Sequence, residues 1–173
     1  MDCIQAIMTR RSIRKFTDEK VDRQALQTIL EAGRMAPTAG NLQPCYFVVV
    51  EDPALRMALK EAALDQEQVV QAPTVIVVCA DPERSSYYGD VGRNYLCLLD
   101  CANTVENMLL AAHALGYGTC WMGGFKEKKV KQLLGLPEGF RVVALVPVGR
   151  PAETPEVPPR RPLEEMVRWE KWS

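Results

Sequence analysis

Three guanidiniums and a hydroxyl fall within Arg10-Arg11-Ser12-Ile13-Arg14, directly after the apolar run Ile4-Gln5-Ala6-Ile7-Met8. A guanidinium presents a planar fork of N–H donors that matches phosphate or carboxylate oxygens in pairs. Such a cluster can neutralise a bound anion, or it can be a solvated helix end whose charges complement the macrodipole. Two further stretches offer ligand contacts. The loop Ala36-Pro37-Thr38-Ala39-Gly40-Asn41-Leu42-Gln43-Pro44 carries side-chain amides that suit the edge of a polar heteroaromatic ring. Gly123-Gly124 lets backbone N–H groups approach a planar ligand, since no Cβ intervenes. Each has an ordinary counterpart as a turn or bend, but a phosphate clamp, an amide loop and a glycine platform together describe a mononucleotide-type ligand better than a set of turns.

Other chemistries lack their residues. There is no Gly-x-Ser-x-Gly elbow, no Walker loop and no Gly-x-Gly-x-x-Gly. The single histidine, His113, has no carboxylate or cysteine beside it in sequence and reads as a structural or helix-dipole residue. The six cysteines (3, 45, 79, 97, 101 and 120) form no Cys-x-x-Cys and sit in apolar sequence, so no metal site is expected. They read as buried free thiols, which fits a reducing cytoplasm. No residue stands out as a catalytic acid or base.

The elements that would position these stretches follow from periodicity. The first dozen residues read as a short amphipathic helix ending in the basic cluster. Asp22 is a suitable N-cap for a helix to about Met35, stopped before Pro37, and Asp52-Pro53 opens another. Residues 45–50, 73–80 and 141–148 are apolar, β-branched runs expected as strands covered on both faces. Asp81 to Gly92 reads as a polar loop. The longest helical pattern, 94–117, is apolar well round its cylinder and is expected to be buried on most sides, by the core or by another chain. Residues 119–125 read as a loop, and 126–134 as a short basic helix closed by Gly135. Beyond Pro151 the chain is proline-rich and extended, and Trp169 and Trp172 imply that this arm docks.

At 173 residues the chain suits one domain with a sizeable core. A net charge of −1 argues against a general nucleic-acid binder. The longest apolar runs are too short to span a bilayer, and no charged-then-apolar leader opens the chain, so no membrane partner is expected.

Taken in order, Arg10–Arg14, Ala36–Pro44, Ala111–Gly118, Thr119–Phe125, Val146–Gly149 and Arg160-Arg161-Pro162-Leu163-Glu164 resemble the nitroreductase family nearly end to end. The resemblance implies an α+β fold: a three-layer α/β/α sandwich with a central, mainly antiparallel sheet, in an intertwined homodimer with FMN at the subunit interface. It implies that residues 1–150 form the FMN-binding domain and that 151–173 are an arm of the same domain docking on the partner subunit. Arg10, Arg11, Ser12 and Arg14 match the family's residues for the phosphate, ribityl chain and pyrimidine edge. Pro37, Thr38, Asn41 and Gln43 match the loop that reaches the other subunit's flavin. Met122, Gly123 and Gly124 match the strip beside the isoalloxazine, and Arg160 a C-terminal phosphate-binding arginine. The implied activity is ping-pong hydride transfer from NAD(P)H through FMN to a nitroaromatic, quinone or activated alkene. An FMN-holding or flavin-sensing protein without turnover, or a ferredoxin-coupled reductase, are the alternatives.

Overall fold

The computed structural model describes residues 1–172. Two helices lead the chain, α1 (Cys3–Thr9) and α2 (Arg23–Arg34). The Asp2 and Asp22 side chains accept the backbone N–H three residues on, satisfying donors that a helix start otherwise leaves open. Strand β1 (Cys45–Val50) follows, then α3 (Pro53–Ala62), with Asp52 as its cap and proline at its first position, and a single turn α4 (Gln68–Gln71). After β2 (Thr74–Ala80) the expected polar loop is instead wound into 3₁₀ turns over Pro82–Tyr88, a short α5 (Gly89–Val91) and a wide turn at Gly92–Leu96. These lead without a break into α6 (Cys97–Ala114). Two-residue strand β3 (Gly118–Thr119), α7 (Glu127–Leu134), β4 (Arg141–Gly149) and a last turn α8 (Leu163–Met166) complete the chain.

The sheet order is β1-β2-β4-β3, antiparallel throughout. Side chains alternate along a strand, so β2 sends Ile76, Val78 and Ala80 to one face and Val75, Val77 and Cys79 to the other. The first face packs on α2 and α6, the second on α3, α4 and α7, which gives the expected α/β/α sandwich. Strand β4 reaches both cores by an irregular step: Val78 pairs with Ala144 but Cys79 pairs with Val142, leaving Val143 as the extra residue. That bulge reverses the alternation, so Val142 and Leu145 share a face although their numbers differ by three.

Two expectations need refinement. β1 does pack on both faces, Cys45, Phe47 and Val49 against one core and Val48 and Val50 against the other, but it is an edge strand, buried fully only at Val50, with Tyr46 exposed. An apolar run states that a strand is apolar, not how many neighbours its place in the order allows. Thr119, read as the start of a loop, lies in β3, a strand too short to carry a period. The docking expected of the C-terminal tryptophans is not made within one chain, where Trp169 and Trp172 are 87% and 83% exposed.

Candidate functional site

Past α1 the chain straightens. Ser12 pairs in parallel with Thr119, and the Ile13 N–H donates to the Thr119 carbonyl at 2.8 Å. Phe16 then pairs with Pro151, with Thr17 N–H donating to Arg150 O at 3.0 Å. The basic stretch is therefore a strand-like addition to the sheet, and its side chains alternate. Ile13 turns inward against Gly118, where a Cβ would meet Ile13 Cγ1 at 2.7 Å. Only glycine permits that approach. Ser12 and Arg14 take the opposite side, where the Ser12 hydroxyl reaches the Cys120 thiol. Burial pushes that thiol up from its ordinary range, while the nearby Arg14 and Arg10 charges and the Ser12 hydroxyl pull it down. Glu153 fixes the backbone here, its Oε1 accepting the N–H groups of Arg14 at 2.6 Å and Lys15 at 3.1 Å.

The two leading arginines behave differently. Arg10 Nε lies 3.7 Å from a half-exposed Glu106 oxygen on α6, a loose pair in solvent. Arg11 folds back, its Nη1 donating to Met8 O at 3.0 Å and Arg10 O at 2.8 Å, while its Nε is buried without a partner among the described residues. His113, on α6, shares a hydrogen bond of 2.8 Å with the Thr9 hydroxyl. Burial first, and then the Arg10 and Arg11 charges, lower its pKa, so the ring stays neutral. The structural role expected of His113 fits this setting.

Beyond Thr119 the chain passes along β4. Met122 exchanges both backbone hydrogen bonds with Leu145, each 3.0 Å, and its side chain is buried. Gly123 and Gly124 come next and are exposed. A Cβ on Gly123 would meet nothing within 4 Å, whereas Gly124 is anchored by Gln66 Nε2 donating to its carbonyl at 2.9 Å. Along one sheet margin, then, a hydroxyl and guanidiniums give way to an open glycine over an extended path of roughly 13 Å. That donor set suits a ligand with an anion at one end and a flat ring at the other.

The amide loop lies elsewhere. Gly40, Asn41 and Gln43 have φ of 56°, 57° and 50°, left-handed positions on either side of right-handed Leu42 that cost non-glycine residues roughly 1–2 kcal/mol each. Ala39 N–H donates to Asp100 Oδ1 at 3.0 Å, Gln43 N–H to Thr38 Oγ1 at 3.1 Å, and Arg84 Nε to Leu42 O at 3.0 Å. The Gln43 amide donates to Asn41 O at 3.2 Å. Pro37, by contrast, is simply exposed. Asp100 starts α6, while His113, beside the basic cluster, ends it; thirteen residues at 1.5 Å separate them by about 20 Å. One chain therefore brings Arg10, Ser12, Arg14, Met122, Gly123 and Gly124 to a common margin, and leaves Pro37, Thr38, Asn41 and Gln43 at the other end of α6. Arg160 is exposed on the C-terminal arm, with no ion pair to the cluster among the described residues. Asp100 and Glu153, which hold the two loops, were not foreseen. A carboxylate in the first turn of the most apolar helix, among Leu98, Leu99 and Cys101, was the available signal for Asp100; nothing local marks Glu153.

The family model for the nitroreductase family matches residues 7–71 and 64–150. The chain belongs to the nitroreductase family. Among its nitroreductase-family relatives, an NADH dehydrogenase of Thermus thermophilus is 34% identical, covering 98% of this chain and 96% of that protein. The solved structure of a nitroreductase family protein from Clostridium novyi NT shares 37% identity, covers 88% of this chain and 87% of its own, and superposes with a TM-score of 0.82. The NADPH:FMN oxidoreductase of Vibrio harveyi, solved with NAD+, shares 32% identity over 99% of this chain and 78% of its own, with a TM-score of 0.91. The nitroreductase fold accounts for the antiparallel sheet, the long α6 and the order of the motifs together.

Proposed function

We propose that this protein is an FMN-dependent NAD(P)H oxidoreductase, passing hydride by a ping-pong route to a small oxidised acceptor such as a nitroaromatic, quinone or activated alkene. Membership of the nitroreductase family supports the flavin and the nicotinamide donor, and the Vibrio relative is itself an NADPH:FMN oxidoreductase. The observation that carries the site assignment is the margin running from Ser12 and Arg14 to the open Gly123. The bound FMN would supply the acceptor and donor of hydride.

The chain's own part is positional and electrostatic. Arg10 and Arg14, with the Ser12 hydroxyl, hold the phosphate and polar edge. Arg11, folded beneath them, adds positive charge and has an Nε free to donate. Met122 supplies a buried apolar wall, and Gly123 and Gly124 offer backbone at a face no side chain obstructs. Fixed cations and N–H groups beside a ring that gains negative charge stabilise that charge without reorganising. No side chain here is assigned as acid or base.

Pro37, Thr38, Asn41 and Gln43 complete the site from a second subunit, and Arg160 reaches the phosphate on an exchanged arm. The supports are the long separation along α6 and the apolar surface one chain leaves bare: Ile4, Met8, Leu99, Leu163 and Trp169 are all exposed. Patches of this kind mark association surfaces. Residues 1–150 are then the flavin-holding domain and 151–173 the arm. No helix among the described residues is long and apolar enough to cross a membrane, and six free cysteines suit a reducing compartment, so we place the protein in the cytoplasm.

The direct test is the absorbance spectrum of purified protein, followed by anaerobic titration with NADH and NADPH. A yellow protein that bleaches is expected. Yellow protein that neither nicotinamide bleaches would leave only an FMN-holding role or another electron donor. Arg10→Ala with Arg14→Ala should strip the flavin on gel filtration; unchanged retention would remove the clamp from the assignment.

A further inference from the structure

Two sulfurs that the flavin chemistry does not use meet at the far end of α6. Cys45 opens β1 and Cys101 lies on the second turn of α6, and their Sγ atoms are 3.0 Å apart. That is closer than the roughly 3.5–4.0 Å at which even carbon atoms pack, and about 1 Å from a bonded pair. The two thiols differ in every respect that decides reactivity. Cys101 is fully buried, with the Cys79 carbonyl 3.7 Å away as a second acceptor for its proton. Cys45 is only half-buried and lines a cavity of about 190 Å³, together with Gly33, Arg34, Thr38, Gln43 and Thr104.

The Thr104 hydroxyl donates to Cys45 Sγ at 3.3 Å, beside the sulfur–sulfur contact in which either thiol can be the donor. The Cys101 hydrogen bond, and after it that of Thr104, draw the Cys45 thiol below its ordinary range, against its burial and the Asp100 charge. The Cys101 thiol is driven upward by the same hydrogen bond and by its own burial. An accessible sulfur favoured as thiolate, backed by a buried protonated one, is the arrangement of an attacking and a resolving cysteine.

We propose that Cys45 and Cys101 form a dithiol–disulfide site that takes a small peroxide through this cavity, Cys45 attacking and Cys101 resolving. The Cys45 thiolate displaces hydroxide from hydrogen peroxide and becomes a sulfenic acid. The Cys101 sulfur then attacks the sulfenic sulfur, loses its proton, and releases the oxygen as water. In sum, two thiols and one peroxide give one disulfide and two waters, with the thiols oxidised by two electrons and the peroxide reduced. The product would tie the entry of β1, directly after the Pro37–Pro44 loop, to α6. The cavity shares Thr38 and Gln43 with the loop assigned above to a second subunit's flavin, whereas the two sulfurs take no part in that assignment.

To test it, reduced and desalted flavin-bound protein is given a slight excess of hydrogen peroxide, quenched with catalase, denatured and alkylated. Labelled thiols should fall by two per chain from the six in the sequence, and dithiothreitol should restore them. Non-reducing peptide mapping should join the Cys45 peptide to the Cys101 peptide. Six labelled thiols after peroxide, or a loss confined to the exposed Cys3, overturns the site. Cys101→Ser should hold Cys45 as a sulfenic acid that dimedone labels; folded variant with unlabelled Cys45 overturns the assigned roles. If that variant does not fold, the peptide map of the unaltered chain decides alone. Flavin absorbance followed in the same samples keeps this result separate from the fate of the flavin reading.

Discussion

At the scale of the residue, two glycines of similar appearance do opposite jobs. Gly118 is glycine because Ile13 lies where its Cβ would stand, and both neighbours there are in paired backbone. Gly118→Ala should therefore cost about 1–3 kcal/mol of stability through overpacking, read as a lowered denaturation midpoint. Gly123 meets nothing. Gly123→Ala should leave stability within about 0.5 kcal/mol while weakening flavin retention, since the methyl would enter the space assigned to the ring. If both variants lose stability alike, the open face at Gly123 has been misread. Asp100 is a third residue whose setting has a sign. Burial first, opposed by the Ala39 N–H, raises its pKa from the ordinary carboxylate value, and its Oδ2 has no partner among the described residues. A carboxyl that holds its proton better when folded stabilises most at low pH, and that contribution is lost as pH rises from the unfolded value of about 4 through the folded one. Asp100→Asn should keep the Oδ1 acceptor for Ala39 and gain stability relative to the native chain between pH 4 and pH 7. Denaturation midpoints for both proteins at those two pH values measure this; a relative loss at neutral pH would mean that the carboxylate is stabilised in a way its neighbours do not show.

At the scale of the element, α6 is the ruler of the molecule. It carries the amide loop at its start through Asp100, the loose Arg10 contact at Glu106 and the Thr9 contact at His113. Its inner face, with Val105, Met108 and Ala112 fully buried, seats it on the sheet and on α2. Gly33 of α2 makes that packing close, because a Cβ there would fall 2.7 Å from Met108 Cγ. Removing the Met108 side chain opens a cavity at this crossing, and Met108→Ala should cost about 2–5 kcal/mol, measured by chemical denaturation. The same variant should loosen the seating of α6 on α2, so flavin retention should weaken although no flavin contact is touched. The bulge at Val78/Cys79 is the corresponding device in the sheet, letting one strand, β4, serve two cores.

For the whole molecule, the unfinished features of a single chain point the same way. The edge strand β1, the bare apolar side of α1, the exposed Leu99 of α6 and the tryptophans of the arm are surfaces a lone chain would hide. If an exchanged arm and a second subunit's loop complete each site, folding, pairing and flavin binding are linked by mass action. Sedimentation over a wide dilution series should then show flavin only in the dimer. A chain cut after Pro151 should sediment as a smaller, flavin-poor species. A stable, yellow monomer in either experiment would falsify the intertwined arrangement.

The division between what is local and what is not follows from range. Caps, prolines and periodic runs act over three to eight residues, so Asp22, Asp52-Pro53, Gly135, the three long strands and the body of α6 were legible before any fold was known. The motifs were equally legible as types: guanidiniums for an anion, amides for a ring edge, glycines for close approach. Sequence order, however, does not state distance. Only the tertiary structure decided that Ser12 lies beside Thr119, so that Arg10–Arg14 is bridged to a sheet margin and Arg11 turns back on its own backbone. Only it decided that β1 is an edge, because strand order depends on pairings far apart in the chain. The polar segment Asp81–Gly92 became turns because Asp81 caps it and Arg84 ties it to Leu42, the second a contact that no local pattern announces. And only the tertiary structure places the amide loop and the basic cluster of one chain at opposite ends of α6, the separation on which the proposal of a second subunit rests.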